Sequence, residues 1–297
     1  MNEQISSSLE GRAGVGLWLH IIRPGTLAAS SSPVFIGLIV ACEEVKCNWL
    51  IAAATLIAAV ALQIASNLIN DYYDFKKGLD RAGRLGPRRA LAEGEVTKNA
   101  MLTAIGIDVV IAVSCGIFLT VTGGLPILII GIAALLFAWL YTATPYSLSY
   151  LGIADLFVFL FYGSVASVGT TYLQTGQFSG RSFWLGSVCG LISMGILTVN
   201  NIRDRESDRQ SGKRSIVVRF GKRFGELEYL TLFLLIIPCL AMAASKGLCY
   251  AVVVVGIGLY WQLRHTEGRA YNALLIRTGQ ANWLFAVLCL LEFLIFS

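Results

Sequence analysis

Charge and histidine are what this chain has least of. Only 14% of its 297 residues are Asp, Glu, Lys or Arg, where roughly a quarter is usual for soluble domains, so a soluble globular fold is excluded. Its two histidines, His20 and His265, stand far apart and each alone, which gives zinc or haem no ligand set. The seven cysteines (Cys42, Cys47, Cys115, Cys189, Cys239, Cys249 and Cys289) include no C-x-x-C pair. They fall inside or at the ends of apolar runs and read as small core residues. The opening stretch, MNEQISSSLEGR, has no basic segment followed by an apolar core and a cleavage site, so no removable signal peptide is expected. No G-x-x-x-x-G-K-[ST] loop occurs either, since GRLGPRRA does not fit it.

What fills the chain instead is apolar: 56% of residues are hydrophobic and the mean hydropathy is +0.70. A helix crosses a hydrocarbon core of about 30 Å with roughly 17–25 apolar residues. Such runs are expected at 24–43, 49–72, 99–122, 125–142, 152–174, 182–202, 226–245, 247–263 and 280–296. The expected fold is therefore an all-α, multi-pass membrane bundle of nine transmembrane helices around a central cavity. It forms one domain over 1–297, with no room for a separate soluble domain.

With the N-terminus cytoplasmic, segments 1–23, 73–98, 143–151, 203–225 and 264–279 share one side and hold 20 of the 23 Lys and Arg residues. Lys46, Arg181 and Lys246 alone fall outside. That asymmetry follows the positive-inside rule and places the protein in the inner, cytoplasmic membrane with its polar loops inside. The net charge of +5 then reflects topology and implies no nucleic-acid partner. No protein partner is implied; the bilayer is the surrounding medium.

Acidic residues interrupt this pattern at two places. At the inner end of the second run, Asn67, Asn70, Asp71 and Asp74 are spaced to share one helical face. At the inner end of the sixth, Asn200, Asn201, Asp204 and Asp208 repeat the arrangement, and in both cases glycine and basic residues follow. The clusters lie four spans apart, which points to two related halves facing each other across the cavity. A lone carboxylate at a helix end reads as an interfacial salt bridge. Two matched clusters read as a functional site. Asp108 and Glu292 stand singly toward the other side and are expected to make structural hydrogen bonds.

Carboxylates gathered on one face need a cation, and hard oxygen ligands suit magnesium, which bridges carboxylates to phosphates. Two clusters suggest two ions. Interleaved Arg and Lys donors would hold a diphosphate through charge-assisted contacts. A water-insoluble diphosphate ester in a membrane bundle is a polyprenyl diphosphate, and its allylic bond ionises when the growing leaving-group charge is neutralised. Tyr72, Tyr73, Tyr141 and Tyr146 are candidates to stabilise a carbocation or simply to anchor the bundle at the interface.

The residues resemble the UbiA superfamily of intramembrane aromatic prenyltransferases. Its two aspartate-rich motifs are similar to Asn70-Asp71-x-x-Asp74 with Asp80 and to Asp204-x-x-x-Asp208. The combination NDYYDFKKGLD, RLGPRRA, Tyr141-Thr142 with Pro145, YLGIADLFVFLFYG and NNIRDRESDRQSGKR further resembles the 1,4-dihydroxy-2-naphthoate polyprenyltransferases of menaquinone synthesis. The stretch YTATPYSLSY lacks the lysine typical of the 4-hydroxybenzoate branch. The resemblance implies transfer of a polyprenyl chain from polyprenyl diphosphate to 1,4-dihydroxy-2-naphthoate, with loss of carbon dioxide and diphosphate, giving demethylmenaquinone.

It also implies roles. Asp71, Asp74, Asp204 and Asp208 would be catalytic and, with Asn67, hold Mg2+. Substrate contacts would come from Asn67, Asn70, Lys77, Asp80, Arg88, Arg89, Tyr141, Asn201, Arg203, Lys213 and Arg214. Arg23, at the mouth of the first span, would reach a phosphate or anchor its helix; Asp155 would position the acceptor hydroxyl or cap its own helix. The loops 73–98 and 203–225 would cap the site. Two other readings use acids in membrane helices: a different aromatic acceptor such as 4-hydroxybenzoate, and a cation-coupled transporter, whose acids would sit nearer the bilayer midplane.

Overall fold

The computed structural model describes residue 14, residues 16–78, 85–86, 89–143, 148 and 152–296. Those residues form helices and connecting turns, with no strand among them. In chain order the long elements are α1 (Leu27–Glu44), α2 (Trp49–Lys76), α3 (Lys98–Gly123) and α4 (Leu125–Leu140). They continue with α5 (Ala154–Thr175), α6 (Gly180–Gln210), a short α7 (Ile216–Phe220), α8 (Lys222–Met242), α9 (Ala251–His265) and α10 (Tyr271–Phe296).

Each of the nine expected segments is helical, but the expected count of nine crossings is not met by length. Among the described residues, seven helices are long and apolar enough to cross a membrane. The exceptions are α4 and α9, with 16 and 15 residues. At 1.5 Å per residue, α4 reaches only roughly 24 Å, less than a hydrocarbon core. Pro126 in the first turn of α4, two residues after Gly124 with its positive φ, fixes where the helix begins.

The centre of the bundle is α6, packed against α1, α5, α8 and α10. Apolar contact alone drives little helix association in lipid, so close backbone approach matters more. On α6, Gly186 and Gly190 form a G-x-x-x-G face against α5. A Cβ on Gly163 of α5 would come within 2.7 Å of the Gly186 carbonyl oxygen and of the Gly190 Cα, so only glycine allows this approach. Helix α5 is broken at the same point by a π turn, Leu160–Ser164, with Tyr162 and Gly163 outside helical geometry. Such π turns mark functional sites often enough to be worth following, and here the break turns Tyr162 toward the interior.

Two of the singly placed residues separate. Glu292 is buried and accepts hydrogen bonds from the backbone N–H groups of Lys246, Gly247 and Cys249 and from the Ser245 hydroxyl, at 2.9–3.0 Å. It fastens the α8–α9 turn, the structural role expected. Asp108 is half-buried on α3 and its carboxylate has no hydrogen bond among the described residues, contrary to expectation. The cysteines also need a correction: Cys115, Cys189, Cys239, Cys249 and Cys289 are free, but Cys42 and Cys47 are disulfide-bonded across the α1–α2 turn.

Candidate active site

The acidic ends of α2 and α6 converge on one cavity of about 430 Å³. Twenty-two residues of helix precede Asp71 on α2, so the cluster lies near one face of the bundle rather than at its middle. From α2 come Asn67, Asn70 and Asp74; from α6 come Asn200, Asn201, Arg203, Asp204 and Asp208. Arg23, Arg89, Tyr141, Asp155 and Lys213 complete the polar wall. Asp71 sits just behind it, 3% exposed and ion-paired to both Arg23 and Arg89.

Each carboxylate of the two clusters is matched by a base. Arg89 Nη2 lies 2.9 Å from Asp74 Oδ2 and donates to Asn70 Oδ1 at 2.9 Å. Arg203 grips Asp204 with two bonds, Nε to Oδ1 at 2.8 Å and Nη2 to Oδ2 at 2.6 Å, and its Nη1 donates to Asn272 Oδ1 at 2.8 Å. Lys213 Nζ is 3.1 Å from Asp208 Oδ1. Arg23 has a left-handed backbone, φ 58°, a conformation non-glycine residues adopt at a cost of order 1–3 kcal/mol; it aims the guanidinium at Asp71. Pro24 then opens a 3-10 turn into α1.

Burial pulls the Arg89 pKa well below its ordinary value and nearby Arg23 adds to this, while Asp204 opposes it. The guanidinium nonetheless stays protonated, because arginine does not lose its proton in proteins.

Two expected phosphate contacts lie off the cavity wall. Lys77 donates to the Thr142 carbonyl at 2.8 Å; desolvation lowers its pKa from the ordinary lysine value, against the pull of Asp74. Arg214 is exposed at the surface. Asp80, Arg88 and Tyr146 lie outside the described residues, and Tyr72 and Tyr73 do not line the cavity: their rings pack edge-on against each other, and Tyr73 edge-on against Trp139. Asn67 spends its amide on structure, donating to Ile22 O and Thr26 Oγ1 at 3.0 Å and accepting from Gln63 at 3.2 Å.

For a divalent cation the donors are hard oxygens. No three of His, Cys, Asp and Glu gather into a complete cage among the described residues. Each helix offers two carboxylates, and Asp74 Oδ1 is buried without a hydrogen-bond partner. That set fits magnesium, which binds through one or two carboxylates and takes its other ligands from water and phosphate.

Sequence reasoning missed the second chamber. An apolar cavity of about 440 Å³, walled by α2, α3, α4 and α5, adjoins the polar one. Gln63, Ser66 and Tyr162 line both. Gln63 and Ser66 stand upstream of the α2 cluster on its face, a signal the helical period already carried. The position of Tyr162 depends on the π turn, and Asn272, which holds Arg203 and donates to Leu85 O at 2.9 Å, comes from distant α10.

A pocket of paired acids and bases, opening to an apolar chamber inside a bundle of membrane-length helices, defines a multi-pass membrane protein with an amphiphilic cavity. The chain belongs to the UbiA prenyltransferase family, whose model matches residues 30–283. It is 33% identical over 231 residues to the 1,4-dihydroxy-2-naphthoate octaprenyltransferase of Escherichia coli (strain K12), covering 76% of this chain and 75% of that one. To the protein of the same name from Mycobacterium tuberculosis it is 32% identical over 209 residues, covering 70% and 71%. Its fold matches a UbiA homolog from Archaeoglobus fulgidus solved with GPP and Mg2+, with TM-score 0.65 at 14% identity over 93% of this chain and 99% of that one.

Proposed function

We propose that this prenyltransferase moves a polyprenyl chain from polyprenyl diphosphate to 1,4-dihydroxy-2-naphthoate, with loss of carbon dioxide and diphosphate, giving demethylmenaquinone. One observation carries the reading: the chamber of paired acids and bases runs at Gln63, Ser66 and Tyr162 into a chamber lined almost wholly by apolar side chains. The relatives named as 1,4-dihydroxy-2-naphthoate octaprenyltransferases supply the acceptor.

The prenyl tail lies in the apolar chamber, which positions the allylic carbon near Tyr162 and leaves the diphosphate among the bases. Asp71, Asp74, Asp204 and Asp208, with Asn67 Oδ1, would hold the Mg2+, as two ions bridging the diphosphate. When bound, Mg2+ neutralises the charge that grows on the departing diphosphate. Arg23, Arg89, Arg203 and Lys213 turn from the carboxylates toward the diphosphate oxygens, where fixed donors stabilise the transition state. Asn70 and Asn201 hydrogen-bond the same group, and Asp80, Arg88, Lys77 and Arg214 are assigned to it from the sequence motifs alone. Tyr141 and Tyr162 face the carbocation with their rings.

Asp155 is buried, lines the cavity and has no arginine or lysine partner among the described residues. It accepts the hydroxyl proton of the naphthoate and so orients the ring for attack. The N-terminus and the active site face the cytoplasm in this reading, which the asymmetry of basic residues supports.

The test uses purified protein in lipid with a polyprenyl diphosphate, Mg2+ and either 1,4-dihydroxy-2-naphthoate or 4-hydroxybenzoate, with product read by mass. Prenylated, decarboxylated naphthoate that disappears with chelator is the expected result. Product from 4-hydroxybenzoate alone would overturn the acceptor, and no product from either would overturn prenyl transfer to these rings.

A further inference from the structure

The structure assigns an oxidised site to the face opposite the active site: we propose that Cys42 and Cys47 form a structural disulfide made in the extracytoplasmic compartment, by exchange with a protein that carries a reactive disulfide. The placement follows from helix lengths. Helix α1 begins beside Arg23 and Thr26, at the acidic cavity, and runs 18 residues to Glu44, roughly 27 Å. Helix α2 starts at Trp49 and returns to Asp71. The α1–α2 turn is therefore separated from the acidic clusters by about the thickness of a hydrocarbon core.

The turn suits the chemistry. Between the two cysteines, Glu43, Glu44, Val45 and Lys46 are exposed, and Cys42 is itself partly exposed, so a protein oxidant has access. Cys47 is buried beneath. In the exchange, one cysteine thiolate attacks a sulfur of the oxidant's disulfide, forming a mixed disulfide and releasing one oxidant thiolate. The second cysteine thiolate displaces the oxidant, which leaves as a dithiol carrying the two electrons. Cytosolic thiols are kept reduced, so a pair held in this geometry persists only where it meets an oxidising compartment. Cys249 and Cys289, with sulfurs 3.3 Å apart, are buried among apolar side chains and out of reach of a protein oxidant.

The bond locks more than five residues of chain. Arg181 at the start of α6 is ion-paired to Glu43. Gln174 at the end of α5 accepts from Asn48 N at 2.7 Å and donates to Asn48 O at 3.1 Å. The ends of α1, α2, α5 and α6 are thus latched on one face, while the polar loops over the cavity lie on the other. This inference does not depend on which ring is prenylated; it shares only the orientation with the proposed function.

The experiment counts cysteines by mass-tagging with a maleimide polymer after acid quenching of whole cells and denaturation, with and without prior reduction. Reduction should add two more tags to the wild type than to the C42S/C47S double variant; equal gains would overturn the disulfide. A membrane-impermeant phosphine should release the same two thiols when applied outside spheroplasts. Release only from inverted vesicles would overturn the extracytoplasmic placement, and the orientation with it, while leaving prenyl transfer untouched. The double variant should keep wild-type turnover and melt a few degrees lower; an unchanged melting temperature would overturn the latch.

Discussion

Replacing Asp71 with asparagine separates two roles that this side chain combines. The carboxylate is 3% exposed and receives both Arg23 and Arg89. Asparagine keeps its shape and removes its charge. Removing one partner of a buried pair costs about 3–5 kcal/mol, but Arg89 keeps Asp74 at 2.9 Å, which leaves a loss on the order of 2 kcal/mol. In a chain of this size that lowers the melting temperature by about 5 °C. Turnover should fall further, because losing one group that stabilises transition-state charge costs about 10²–10³ in kcat. Adding Arg23→Gln removes a positive charge left in excess and should recover part of the melting temperature without recovering turnover. Asp108→Asn, on α3 but lining neither chamber, serves as the control and should keep both. Thermal melts and single-turnover assays at saturating Mg2+ read the two effects. Wild-type turnover in Asp71→Asn, or turnover restored by Arg23→Gln, would refute the assignment of Asp71 to the metal–diphosphate site.

Asp155→Asn should raise the KM for the aromatic acceptor about 10–100-fold, the worth of a hydrogen bond to a charged group, with the KM for the prenyl donor unchanged; steady-state kinetics in each substrate checks this. Gly131 lines the apolar chamber with open space around it, so Gly131→Phe should shorten the longest prenyl chain accepted, as read by product mass from mixed donors. Gly190→Leu forces a side chain against the backbone of Phe159 and should abolish monodisperse protein in size-exclusion chromatography, whereas Gly116→Ala, with nothing nearby, should not.

The acidic helix ends were legible because their spacing belongs to one helical face, and that face survives in the folded chain. Arg203 was legible because it lies within the α6 cluster, and Lys213 because it follows that helix within three residues. The partnership of Arg89 with Asp71 was not, because it depends on how a loop folds back across α2. Nor was the apolar chamber: an apolar residue facing a cavity and one facing lipid look identical in a membrane sequence. All nine apolar segments are helical among the described residues and seven reach spanning length, while α4 and α9 fall short of it because hydropathy reads apolar character and not where a helix ends. The Cys42–Cys47 bond escaped because each cysteine sits at the end of an apolar run, where a packed thiol and a bonded one look alike, and only the turn between the runs brings them together.

The pairing of Asp71, Asp74, Asp204 and Asp208 with Arg23, Arg89, Arg203 and Lys213 makes these eight side chains electrically neutral as a group. A resting pocket of this kind has little attraction for either a lone dication or a lone diphosphate, since each must first break an internal pair. Arriving together, the two are complementary to the separated partners: acids take the cations and bases take the anion. Binding of metal and donor is then mutually reinforcing, and by thermodynamic reciprocity each must tighten the other by the same factor.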